Sequence, residues 1–77
     1  MFEYNICTEA DKKLFKKQCL ALEKHVPGIV KKEMLHDVDD SQIQFYAIED
    51  KKIAVHNDYY VGALYIKSEI ELDQFFK

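Results

Sequence analysis

Apolar residues occupy every second position in several short stretches, and this alternation constrains the fold more than any other sequence feature. It occurs in residues 2–6 and again in residues 43–47. Successive side chains of a strand point to opposite faces of a sheet, so the pattern is typical of strands with one buried face. Residues 29–36, 53–55 and 59–66 are also predicted to be strands, the last because it is rich in aromatic and β-branched residues.

One long helix is predicted between the first two strands, ending near Val26. Thr8, followed three positions later by Asp11, resembles a capping box with the shorter acid. Pro27 and Gly28 end the helix. On a helical wheel, the apolar residues fall within an arc of about 140° that would face the core. These residues are Leu14, Phe15, Cys19, Leu22 and Val26.

The opposite side of this helix carries lysines around a single leucine. Leu20 lies in the middle of the lysine arc, where packing on the same core cannot bury it. An isolated surface leucine is ordinary in a folded protein. The alternative is a hydrophobic contact, ringed by lysines, that meets an acidic partner. We call this set the lysine face. It comprises Lys12, Lys13, Lys16, Lys17, Leu20 and Lys24.

Two turns set which strand residues share a face. Asn57-Asp58 looks like a two-residue hairpin loop, which would pair His56 with Tyr59. One face of that hairpin then carries mainly aliphatic residues, and the other carries a tyrosine-rich set. The tyrosine-rich set comprises Ala54, His56, Tyr59, Val61, Ala63 and Tyr65.

The preceding turn is predicted to have three residues, numbers 50–52. A two-residue turn would place Gln42 and Gln44 on the buried face, and polar side chains are normally excluded from a core. With three residues, Phe45 and Ala47 instead align with the buried side of the next strand.

Ser68-Glu69-Ile70-Glu71 is a capping-box pattern that predicts a short terminal helix reaching Lys77. The predicted element order is β-α-β-β-β-β-α. We therefore expect an α+β, two-layer domain: a mostly antiparallel sheet of about five strands with one long helix and one short C-terminal helix. With only 77 residues, the chain is expected to form a single compact domain, residues 1–77.

Charge argues against a dedicated nucleic-acid reader. All eleven basic residues are lysines, and phosphate and base-edge recognition relies heavily on arginine. Residues 1–35 hold seven lysines against five acids, whereas residues 36–77 hold four lysines against nine acids. The net charge of −3 therefore divides into a basic front and an acidic back.

Catalytic and cofactor motifs are not evident. The sequence has no Gly-rich phosphate loop, no CxxC, and no histidine pair with metal-ligand spacing, so we expect neither an enzyme nor a cofactor. His36, Asp37, Asp39 and Asp40 form one dense cluster that faintly resembles a calcium loop. It lacks the Gly and the bidentate Glu of such a loop, so an acidic turn in solvent is the plainer interpretation.

The leading hypothesis is a small non-catalytic protein that acts by protein–protein contact, such as an inhibitor, an immunity-type protein or a bacterial or phage accessory protein. Its candidate binding residues are the lysine face and, on the tyrosine-rich set, His56, Tyr59, Val61 and Tyr65. That set is either covered by the terminal helix or exposed as an interface for a homodimer or another protein. The alternative function is a small nucleic-acid-binding module that uses the lysine face.

Two features of the sequence indicate the cellular compartment of the protein. Cys7 and Cys19 are too few for a disulfide framework, and no long apolar run predicts a membrane span. We therefore expect a cytoplasmic protein with no membrane partner.

Overall fold

The computed structural model of the protein describes residues 2–75. Their elements are β1 (Phe2–Cys7), α1 (Lys12–His25), β2 (Val30–His36), β3 (Gln42–Ile48), β4 (Lys51–Asp58), β5 (Ala63–Ser68) and a 3₁₀ turn (Asp73–Phe75). The strands form one sheet in the order β1-β5-β4-β3-β2, and every neighbouring pair is antiparallel. The α+β class and the five-stranded antiparallel sheet are thereby confirmed.

Helix α1 joins the two edge strands across one face of the sheet. It begins at Lys12 because Asp11, and not Thr8, is the N-cap: its carboxylate accepts the backbone N–H groups of Lys13 and Leu14 at 2.8 and 3.2 Å. The Asp11 N–H itself donates to Asn57 Oδ1 at 2.9 Å, which holds the start of the helix against β4. The predicted capping role of Thr8 is therefore wrong.

The core lies between α1 and the helix-side face of the sheet. Its buried apolar residues are Phe15, Cys19, Leu22, Val26, Tyr46, Ile53, Val55, Leu64, Ile66 and Leu72. Four of the five helix residues expected in the core are buried there. Leu14 is the exception at 36% exposed, because it sits at the margin of the apolar arc.

The β3–β4 hairpin has a two-residue turn, Glu49-Asp50, and this overturns the predicted three-residue turn. Ile48 pairs with Lys51 and Gln44 with Val55, so Gln44 is on the core face and 4% exposed. Phe45 and Ala47 consequently lie on the other face.

Gln44 is tolerated in the core because its amide nitrogen is hydrogen-bonded to backbone carbonyls. Its Nε2 donates to the carbonyl oxygens of Lys32 at 2.9 Å, Glu33 at 3.2 Å and Phe45 at 3.0 Å. The first two carbonyls belong to β2 where its pairing with β3 shifts, between Lys31 and Met34. The side chain thus replaces ladder hydrogen bonds that the irregular edge strand lacks.

The β4–β5 connection spans residues 59–62, so the predicted pairing of His56 with Tyr59 is also wrong. Asp58 pairs with Ala63, and its carboxylate accepts the N–H groups of Tyr60 and Val61 at 2.9 and 3.1 Å. Gly62 closes the turn with a φ of +75°, a conformation that glycine adopts readily. These features favour a four-residue connection over the tight turn.

The chain after β5 differs from the predicted terminal helix. Ser68 belongs to β5, and its hydroxyl exchanges hydrogen bonds with the backbone of Ile70 instead of capping a helix. Residues 69–75 contain only the 3₁₀ turn. Leu72 is buried on the helix side, where its N–H donates to the Tyr4 hydroxyl at 2.7 Å. The rest of the predicted helix, Phe76 and Lys77, lies outside the described residues.

Candidate functional site

The candidate residues divide between two opposite sides of the molecule. Helix α1 covers one face of the sheet. The lysine face lies on the side of this helix that points away from the sheet. All six of its residues are exposed, with Leu20 at 54%. Within residues 2–75 none of its five lysines forms an ion pair. The side chains around Leu20 are therefore free to extend into solvent.

The second surface is the sheet face that points away from α1, which we call the open face. Strand pairing places a continuous set of side chains there. On β3, β4 and β5 they are Ile43, Phe45, Ala47, Lys52, Ala54, His56, Asp58, Ala63, Tyr65 and Lys67. Only three of these ten residues carry a full charge at neutral pH. An antiparallel sheet with one solvated face normally shows polar residues at such positions.

No described element covers the open face. Helix α1 packs on the opposite face, and Ile70, Leu72 and Phe75 contact the same helix-side core. Residues 69–75 therefore do not cover the open face, which was one of the two alternatives considered for the terminal helix. The edge strand β2 adds two apolar side chains beside this face, Val30 and Leu35, which are 50% and 51% exposed.

His56 and Tyr65 form an aromatic stack at the centre of the open face. Their ring centroids are 4.7 Å apart and their planes differ by 4°. Lys67 Nζ lies 5.8 Å from the Tyr65 ring centroid. Burial, with a smaller effect of the Lys67 charge, lowers the pKa of His56 below its ordinary value, while burial raises that of Tyr65. Both rings are therefore neutral at pH 7 and present an apolar surface.

Tyr59 and Val61 do not lie on the open face, although the sequence placed them there. They belong to the β4–β5 connection and are 38% and 69% exposed. The Tyr59 N–H donates to Ser41 Oγ at 2.9 Å, which ties this connection to the β2–β3 loop. Neither residue therefore contributes to the centre of the open face.

A cleft of about 550 Å³ opens between these two loops. Its lining includes His36, Asp37 and Asp39, from the cluster that faintly resembled a calcium loop. The Asp39 carboxylate instead accepts the Ser41 N–H at 3.0 Å, which lowers the pKa of Asp39, and His36 pairs with Asp40 at 3.3 Å. No group of three potential metal ligands occurs within residues 2–75.

Sequence reasoning missed Ile43, Phe45 and Ala47 as open-face residues. The error follows from the turn before β4, because a shift of one residue moves every side chain of a strand to the other face. Tyr46 is the signal that would have identified them, because a tyrosine ring can be buried in a core as well as a phenylalanine ring can. If Tyr46 is buried, its strand neighbours Phe45 and Ala47 lie on the other face. The Tyr46 hydroxyl donates to Glu23 Oε2 at 2.7 Å, so a tyrosine can be buried at that position.

Comparison with protein-family models, with curated proteins and with solved structures yields no match for this chain. The described helix is also too short and too polar to cross a membrane. Functional inference therefore depends on the two surfaces themselves.

Proposed function

We propose that this chain is a small non-catalytic protein that works by protein–protein contact through its open face. The observation that carries the proposal is a sheet face lined by apolar and aromatic side chains, with no cover from residues 2–75. Aromatic side chains are enriched at protein interfaces and supply much of their binding energy. Phe45 and Tyr65, set among the small alanines of this face, are suited to that role.

The charge of the open face favours a protein partner over a nucleic acid. Lys52 and Lys67 lie toward one end, where Glu3 of β1 pairs with Lys67 at 3.9 Å, and Asp58 lies at the other. Backbone phosphates attract continuous positive charge and are repelled by carboxylates. The alternative function, nucleic-acid binding, is therefore assigned to the lysine face, where the exposed lysines have no ion-pair partners within the described part of the chain.

Ala54→Glu tests the open face directly. Ala54 is partly buried near the centre of β4 on this face, so glutamate adds bulk and charge where a partner would pack. The side chain has solvent on that side, and we expect little loss of stability. Leu20→Glu is the matched control on the lysine face, since it also adds a carboxylate to an exposed position.

The readout is affinity capture from a lysate of the cells that make the protein, quantified for wild type and both variants, with circular dichroism as the folding control. The proposal expects proteins captured by wild type to be lost with Ala54→Glu and retained with Leu20→Glu. Loss with Leu20→Glu alone, together with binding of RNA or DNA at physiological salt, would instead support the nucleic-acid function.

We further propose that the protein acts in the cytoplasm. Cys7 and Cys19 are both unpaired thiols, which is the usual state of cysteine in a reducing compartment. Burial raises the pKa of the Cys19 thiol, so this residue packs in the core as a neutral thiol.

A further inference from the structure

Strand β4 carries opposite charges at the two ends of the open face. Reading along the face, its side chains are Lys52, Ala54, His56 and Asp58. This central strand is flanked by β3 and β5 on its two sides. The open face therefore has a lysine at one end of its middle line, an aspartate at the other, and uncharged residues between them.

A surface of this kind is complementary to itself. In a two-fold dimer, each patch meets the same patch of the other copy, so residue i contacts j and j contacts i. With a two-fold axis that lies in the interface and is perpendicular to the strands, β4 of one copy runs in the opposite direction to β4 of the other. This axis places Lys52 of each copy opposite Asp58 of the other, and Ala54 opposite His56.

An in-plane axis parallel to the strands is disfavoured by the same charges. It would place Lys52 opposite Lys52 and Asp58 opposite Asp58. Like charges brought together at an interface oppose association, so of these two arrangements the charges favour the perpendicular axis. Lys67, which within one copy pairs with Glu3 at 3.9 Å and lies 5.8 Å from the Tyr65 ring centroid, is then placed opposite Tyr65 of the other copy.

From these observations we propose that the protein partner is a second copy of this chain, packed open face to open face about that perpendicular axis. The inference rests on the proposed function, because it names the occupant of the same surface. Two sheets packed face to face lie about 10 Å apart, and the side chains of the two open faces would fill the space between them. A lysine and an aspartate span that separation.

The size of the face limits the area that a dimer can bury. Five strands at about 4.8 Å spacing, with lengths near 20 Å, give a face of about 500 Å² per copy. Two copies would bury about 1,000 Å², which is at the low end for specific interfaces. We therefore expect a dimer that dissociates on dilution.

Sedimentation equilibrium from micromolar to millimolar concentration tests this proposal. Wild type should show a monomer–dimer equilibrium, and Ala54→Glu should remain monomeric. Lys52→Glu should raise the dimer Kd by about tenfold, because two attractive pairs per dimer become repulsive. Lys51→Glu is the matched control: it makes the same charge change one residue away, on the helix-side face, and should leave Kd close to that of wild type.

A double-mutant cycle then identifies the pairing partner. Asp58→Asn removes the charge but retains an oxygen that can accept the N–H groups of Tyr60 and Val61. In the Asp58→Asn background, Lys52→Glu should change Kd by much less than tenfold, since the facing carboxylate is gone. Equal effects of Lys52→Glu in both backgrounds would overturn the proposed axis.

The wild-type result also separates this inference from the function on which it rests. A wild type that stays monomeric at millimolar concentration overturns the homodimer. The proposed function then stands or falls on whether Ala54→Glu abolishes capture of other proteins. A monomeric wild type that binds single-stranded RNA through the open face, with binding lost in Ala54→Glu, would overturn both.

Discussion

Two residues with polar groups, Gln44 and Tyr46, lie on the buried face of β3. Each side chain donates specific hydrogen bonds. The Gln44 amide donates to carbonyls of β2, and the Tyr46 hydroxyl donates to Glu23. Burial and the hydrogen bond to Glu23 raise the pKa of Tyr46, so it remains a neutral donor. Buried polar groups are tolerated when they are hydrogen-bonded, as the Gln44 amide nitrogen and the Tyr46 hydroxyl both are.

Replacing Gln44 with leucine tests this account at the residue scale. Gln44→Leu preserves the volume but leaves the carbonyls of Lys32 and Glu33 without the amide. We expect a loss of about 1–3 kcal/mol in the free energy of unfolding, measured by chemical denaturation. Hydrogen exchange should also accelerate in β2, whose pairing is irregular at this point.

Gln42→Leu is the control for that substitution. Gln42 lies two residues earlier on the same side of β3 and is only partly buried, and its side chain makes no hydrogen bond to residues 2–75. We expect it to change the free energy of unfolding by a few tenths of a kcal/mol at most. Equal losses for the two variants would show that the Gln44 amide contributes nothing specific.

Elements of this fold were predictable where local pattern decides them. Alternation identified the strands, and the apolar arc identified the buried side of α1. Because alternate residues of a strand share a face, the sequence correctly placed His56 and Tyr65 on the same face. Their pairing partners and the position of Phe45 were not predictable, because turn length depends on contacts distant in sequence. The carbonyls that satisfy Gln44 lie 11 and 12 residues away, on another strand.

The start of α1 gives a second test, at the element scale. Asp11→Ala removes the oxygen that accepts two N–H groups of the first turn, so we expect a loss of about 1 kcal/mol. Thr8→Ala should cost a few tenths at most, because Thr8 is exposed and precedes the cap by three residues. Thermal or urea unfolding measures both; a larger loss for Thr8→Ala would reinstate the capping box that the sequence suggested.

At the scale of the whole molecule, the sheet has one covered face and one uncovered face. The helix and the 3₁₀ turn both pack on the same side, so no described element packs over the apolar residues of the open face. The basic lysine face and the open face point in opposite directions. A partner on one side therefore leaves the other available, and the two surfaces can be examined separately.

The five alanines of the chain allow the most direct test of the open face. Ala47, Ala54 and Ala63 lie on it, whereas Ala10 and Ala21 precede and belong to α1. In methyl NMR spectra of protein labelled at alanine, we expect the three open-face signals to shift as concentration rises from micromolar to millimolar, with Ala54 shifting most. Ala10 and Ala21 should hold their positions. Shifts confined to Ala21, or no shift at any of the five, would contradict association of two copies through the open face.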